Sequence, residues 1–245
     1  MTDALPPGEL RALWDFDDPV GSEAVLRAAA DGSSTAPGRQ AELLTQVARS
    51  LGLQERFDEA HRMLDTLEPT TPAVAVRVLL ERGRLYRSAG DLPAAVSSFE
   101  AAAAAAQRAG LPVLEADALH MLALADEDRA PVWTSQALGL VHGSPDPEVQ
   151  RWAVALENNH AWFLMERGRA LDALTHFRAA HDAAVAVGSP DQERIARWAV
   201  ARCLRELGRV TEALEIQRGL VDEGHETPYV TEEIATLENL IGRVD

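Results

Sequence analysis

The sequence predicts an all-α fold, a solenoid of about five antiparallel helix hairpins with a lone helix capping each end. Three observations point there. Short polar turns recur along the chain, each followed by an alanine that opens a new helical run. Those alanines fall at near-constant intervals, with small and large residues returning at fixed distances from them. The two ends depart from the pattern, as the terminal units of a stacked array must when they cover exposed apolar faces.

The N-terminal segment is 1–38. Trp14 and Phe16 are expected to fold back onto the first hairpin, and 22–30 reads as a lone second helix whose Ala24 lies 36 residues before Ala60. Residues 31–38, Asp-Gly-Ser-Ser-Thr-Ala-Pro-Gly, read as a flexible loop. The recurring turns are Phe57-Asp58-Glu59-Ala60, Gly90-Asp91-Leu92-Pro93-Ala94-Ala95, Gly168-Arg169-Ala170-Leu171-Asp172-Ala173 and Gly208-Arg209-Val210-Thr211-Glu212-Ala213. Glycine suits a helix C-terminus because it takes positive φ at little cost. Pro93 fits a first helical turn, and Asp58 and Thr211 are candidate N-caps.

With a fifth anchor at Ala130, the alanines 60, 95, 130, 173 and 213 are spaced by 35, 35, 43 and 40 residues. Twelve positions before them stand Ala48, Gly83, Ala118, Ala161 and Ala201, all small. Nine before stand Leu51, Tyr86, Met121, Leu164 and Leu204, all large and apolar. Two helices cross closely only where a small side chain lets the backbones approach, and a bulky neighbour then fills the space beside the crossing. This register places repeats over 39–225 (about 41–74, 76–109, 111–144, 154–188 and 194–225) and a capping helix over 226–245. In that last helix Ile234, Leu237, Leu240 and Ile241 form one apolar stripe, for capping or for a dimer.

The unit Leu79-x3-Gly83-x2-Tyr86-x3-Gly90-x4-Ala95-x3-Phe99-x2-Ala102 resembles the tetratricopeptide repeat family at every signature slot except the final proline. Val154–Gly188 resembles it from Asn159 to Phe177, and the first unit keeps Pro72 but has Glu55 where the turn glycine would stand. The resemblance implies a right-handed superhelix whose first helices line a concave groove that holds a protein or peptide. On that face lie Arg49, Arg84, Leu119, Trp162 and Arg202, eleven before the anchors, flanked by Leu80 and Arg87, Asn158 and Met165, Trp198 and Arg205.

Some members clamp a C-terminal carboxylate with Lys and Asn. Asn159 falls at a matching position, but the lysines are missing, so that assignment is not adopted. The candidate peptide-binding residues are therefore Arg49, Arg84, Arg87, Asn158, Asn159, Trp162, Met165, Trp198, Arg202 and Arg205. Arginine recognises carboxylates bidentately, and Trp and Arg dominate binding hot spots. The expected partner is a protein or peptide with an acidic or C-terminal carboxylate group. Against this stands the reading that Glu81, Glu115, Glu166 and Glu206 neutralise the same arginines. A self-associating module, through the C-terminal helix or the outer face, and a peptide-sensing regulatory domain are the alternatives.

Composition narrows the field. All 23 basic residues are arginine, against 39 acids, for a net charge of −16. That balance argues against nucleic acid and an anionic membrane surface. No run reaches the length of a membrane span, the first residues do not read as a secretory signal, and cytoplasm is the expected location. The single cysteine, Cys203, forms no internal disulfide and reads as a small buried residue. No cofactor or catalysis is expected. Glu157-x2-His160 has half of a di-metal motif without a second copy, and the seven histidines do not cluster at ligand spacing. Charges in slots that should be apolar predict two inter-unit pairs, Arg82–Asp117 and Glu157–Arg197.

Overall fold

In the computed structural model, which describes residues 5–242, every regular element is helical. The chain forms two compact units, one up to Leu140 and one from Val141.

The first unit begins with α1 (Pro7–Ala12) and α2 (Pro19–Asp31). Three first helices follow, α3 (Pro37–Leu53), α5 (Pro72–Ser88) and α7 (Pro112–Ala125), alternating with second helices α4 (Phe57–Thr66) and α6 (Leu92–Ala109). The last second helix, α8 (Ala130–Gly143), runs past the division. From α2 to α7 each helix packs on the next, and first helices also touch one another, α3 with α5 and α5 with α7. That pattern of neighbours is what stacked hairpins produce.

The second unit holds the short α9 (Pro147–Gln150) and first helices α10 (Trp152–Glu166), α12 (Pro190–Glu206) and α14 (Pro228–Ile241). The second helices are α11 (Ala170–Ala186) and α13 (Val210–Asp222). Again the first helices meet, α10 with α12 and α12 with α14.

Proline starts α3, α5, α7, α12 and α14 at a position where its missing N–H is not needed. The turns between first and second helices place Gly90, Gly168 and Gly208 at φ 85°, 71° and 73°. Glu55 occupies the same left-handed conformation at φ 61°, without a glycine's freedom.

The small–large register holds in detail. Ala48, Ala118, Ala161 and Ala201 are wholly buried, as are Ala60, Ala95, Ala173 and Ala213. Gly83 lies so close to the buried Phe99 that a Cβ there would sit 2.4 Å from its ring. Phe99 and Phe177, four after their anchors, fill the crossings.

Three local expectations need correction. The supposed flexible loop at 31–38 is a short turn between α2 and α3, closed by Ser33 Oγ donating to Ala29 O at 2.8 Å and Ala36 N to Ser33 O at 2.9 Å. Asp58 and Thr211 do not cap, because α4 and α13 begin two residues earlier than a cap there requires, with Arg56 and Arg209 at the N-cap positions. An Arg-to-acid clasp three residues apart stands at those starts instead: Arg56–Glu59 at 2.6 Å, Arg169–Asp172 at 2.7 Å and Arg209–Glu212 at 2.5 Å.

The predicted inter-unit pairs form with other partners. Arg82 meets Asp65 at 2.5 Å and Asp117 meets Arg84 at 2.5 Å; Arg197 meets Glu223 at 2.6 Å and Glu157 meets His176 at 2.6 Å. Two residues advance a helix by about 200°, so the slip from Arg84 to Arg82 chose the wrong face.

Candidate functional site

In the second unit an aromatic row crosses the first helices, one side chain from each. Trp162 of α10 lies 6.0 Å from Trp198 of α12, which lies 6.4 Å from Tyr229 of α14 (ring centroids). Trp162 is set by an edge-to-face contact with the buried Phe177, centroids 4.9 Å apart. Trp162, Met165 and Trp198 rest their inner edges on the core around Ala161, Leu204 and Ala213. Beside Trp198 and Tyr229 an open cavity of about 490 Å³ is walled mainly by Ile195, Leu220 and Val230, with Arg194 and His225 at its edge. Ile195 is 60% exposed and Tyr229 71%, an unusual exposure for large apolar side chains beside one cavity.

The arginines of this face are committed within the chain. Arg202 and Arg205 both approach Glu233 of α14, at 3.7 and 3.1 Å. Burial raises the Glu233 carboxyl above the ordinary range, and Arg205 pulls the other way. Asn158 donates from Nδ2 to Asn159 Oδ1 at 3.4 Å, leaving its own Oδ1 buried without a partner.

In the first unit the equivalent face is polar. Arg77 Nε donates to Glu42 at 2.9 Å and Gln46 Nε2 to Glu81 at 3.2 Å, each across 35 residues. Arg84 bridges Glu81 at 2.7 Å and Asp117 at 2.5 Å. Asp117 is desolvated, which pushes its carboxyl up, but Arg84 and Arg49 outweigh this and hold it below the usual range. Arg49 lies over Trp14 and Phe16, 5.5 and 5.1 Å from their centroids. Those two rings stack at 4.8 Å, so the N-terminal segment does fold back, and onto α3. Arg87 is exposed.

A family model described as tetratricopeptide repeat matches residues 48–111 and 159–228, more than half of the chain. The chain belongs to the tetratricopeptide repeat family. Among solved structures, the apo form of RapI is similar at a TM-score of 0.74 and 12% identity, covering 96% of this chain and 70% of that one. BtubC from P. vanneervenii is similar at 0.57 and 16% identity, covering 89% and 94%. Identities this low establish the shared fold alone. No curated protein matches the chain.

Seen as a tetratricopeptide array, the chain separates its sequence-chosen residues into two groups. Arg49, Arg84 and Arg87 come together on the first-helix face of one unit. Trp162, Met165, Trp198, Asn158, Asn159, Arg202 and Arg205 lie on the first helices of the other. Glu81 and Glu206 do neutralise nearby arginines, whereas Glu115 and Glu166 pair with none of them among the described residues. Sequence reasoning missed Tyr229 because α14 was read as a cap or a dimer helix; its place one helix beyond Trp198 was the available signal.

Three of the seven histidines gather around Glu157 without forming a ligand set. His176 Nδ1 is 2.6 Å and His142 Nε2 3.7 Å from the buried Glu157, and the His160 ring stands edge-on to His176 at 4.5 Å. They come from three helices, which spacing along the chain does not show. Burial, with His176 nearby, lowers the pKa of His160. Among the described residues no group of three or more His, Cys, Asp or Glu is placed to hold a metal ion. Cys203 is buried, its thiol donates to Ala170 O at 3.2 Å, and burial pushes its pKa up to about 11 despite the flanking arginines. The C-terminal stripe divides: Leu237 and Ile234 pack inward, while Leu240 and Ile241 remain partly exposed. Among the described residues no helix is long and apolar enough to cross a membrane.

Proposed function

We propose that the chain is a non-catalytic scaffold that holds an extended segment of a partner protein or peptide against the first-helix face of its second unit. The observation that carries this reading is the aromatic row Trp162–Trp198–Tyr229 beside an open apolar cavity. Aromatic side chains held rigidly by packing offer large contact area at little entropic cost, and they dominate measured hot spots. A cavity of about 490 Å³ accommodates a large apolar side chain with space beside it for the backbone that carries it.

Arg202 and Arg205 are held by Glu233, so an apolar or aromatic anchor suits this unit better than a carboxylate. Selection from a random peptide library against the full chain tests the proposal. Enriched peptides should share a large apolar residue and quench tryptophan fluorescence on binding. Tyr229→Ala, a change at an exposed ring that leaves helicity intact, should weaken them about tenfold or more. Enriched peptides that bind Tyr229→Ala and Trp162→Ala with unchanged affinity would place the binding surface elsewhere.

A further inference from the structure

The first unit contains a pocket of about 200 Å³ on the same side of its helices, lined mainly by Arg49, Arg84, Leu85, Arg87, Ser88 and Met121. Three guanidinium groups meet there. The carboxylates in reach are Glu81 and Asp117, and Arg84 binds both. His120, which also faces the group, has its pKa pushed down to about 4, chiefly by burial, and adds no charge near neutral pH.

Arg49 is held differently. Its flat face lies over Trp14 and Phe16, and a guanidinium stacked in this way keeps its N–H edges free for in-plane acceptors. Among the described residues those edges meet no carboxylate within ion-pair distance, and Arg87 likewise forms no ion pair. Three positive charges against two negative leave one uncompensated charge in a partly desolvated pocket. It stands out in a chain whose net charge is −16. Burial and the neighbouring Arg84 push Arg49 down to about 10, the direction that a nearby anion would reverse.

We propose that this pocket binds an oxyanion group, carboxylate or phosphoryl, seated against Arg49 and Arg87 with Arg84 fixed beside them by Glu81 and Asp117. Arginine forks match both groups bidentately, and the pocket has room for one such headgroup and a few attached atoms. The site is independent of the aromatic face in the other unit, so either proposal survives failure of the other.

The test is titration of the full chain with orthophosphate and, separately, with acetate, at constant ionic strength. It is followed by NMR of the arginine Nε–Hε resonances. Saturable shifts confined to Arg49, Arg84 and Arg87 are expected, with affinity reduced about tenfold in Arg87→Gln. Arg87 is exposed, so that variant keeps the fold even if Arg49→Gln does not. Shifts with phosphate alone identify a phosphoryl ligand; shifts with acetate identify a carboxylate. No saturable shift at Arg49 with either anion, or equal affinity in Arg87→Gln, overturns the proposal.

Discussion

Alanine at position 83 gains helix propensity and lacks the space it needs. A Cβ on Gly83 would stand 2.4 Å from Phe99 Cε1, 2.6 Å from Cδ1 and 2.8 Å from Cζ. Carbon atoms pack best at about 3.5–4.0 Å, so the ring would have to retreat by about an ångström. Phe99, on α6, is fully buried where α5 and α6 pack. Overpacking of this kind costs about 1–3 kcal/mol, whereas replacing glycine by alanine inside a helix returns about 1 kcal/mol. The net expectation is a loss of up to about 2 kcal/mol in the intact chain. With Phe99→Leu already present the clashing ring atoms are gone, and Gly83→Ala should then stabilise by up to about 1 kcal/mol. Urea unfolding of the four proteins, followed by far-ultraviolet circular dichroism, completes the double-mutant cycle. If Gly83→Ala stabilises the intact chain, or shifts both backgrounds equally, the small-against-large account of the hairpin crossing is wrong.

Glu55→Gly should raise stability by up to about 1 kcal/mol, since φ 61° costs a side-chain-bearing residue about 1–2 kcal/mol and glycine returns part of that as unfolded-state entropy; a lower urea midpoint would contradict this. His120 titrates at about 4 in the folded chain and near 6.5 when unfolded. The unfolded state therefore takes the proton first, and the contribution is complete above pH 6.5 and lost as pH falls towards 4. Discounted for solvent screening at a half-buried site, it amounts to about 2 kcal/mol. His120→Asn should flatten the fall in stability between pH 6.5 and 5, and an unchanged slope would refute the assignment. Cys203, buried and raised to about 11, should resist thiol reagents at pH 8 in the native chain and react fully in urea; rapid native labelling would contradict its placement.

The fold was legible because its determinants are local and periodic. Gly90, Gly168 and Gly208 mark the turns, and Ala95, Phe99 and Ala102 repeat a geometry that any neighbouring hairpin must match. Glu55 was visible as a departure from the turn glycine, and its left-handed φ is the physical consequence. Side-chain pairing was much less legible. Arg82 and Arg84 differ by two positions yet face different helices, and Glu157 draws partners from α8 and α11 that only the packing brings near. Arg49 was placed on the right helix, but its aromatic cover comes from Trp14 and Phe16, outside the repeat register. Where a contact depends on rotation about a helix axis rather than on period, spacing alone does not resolve it.

Hydrogen–deuterium exchange of the full chain, with and without a peptide enriched from the library, tests the binding account most directly. The account predicts slowed exchange in α10, α12 and α14, whose side chains form the aromatic row. Protection confined to the second helices α11 and α13, with the first helices unchanged, would contradict it.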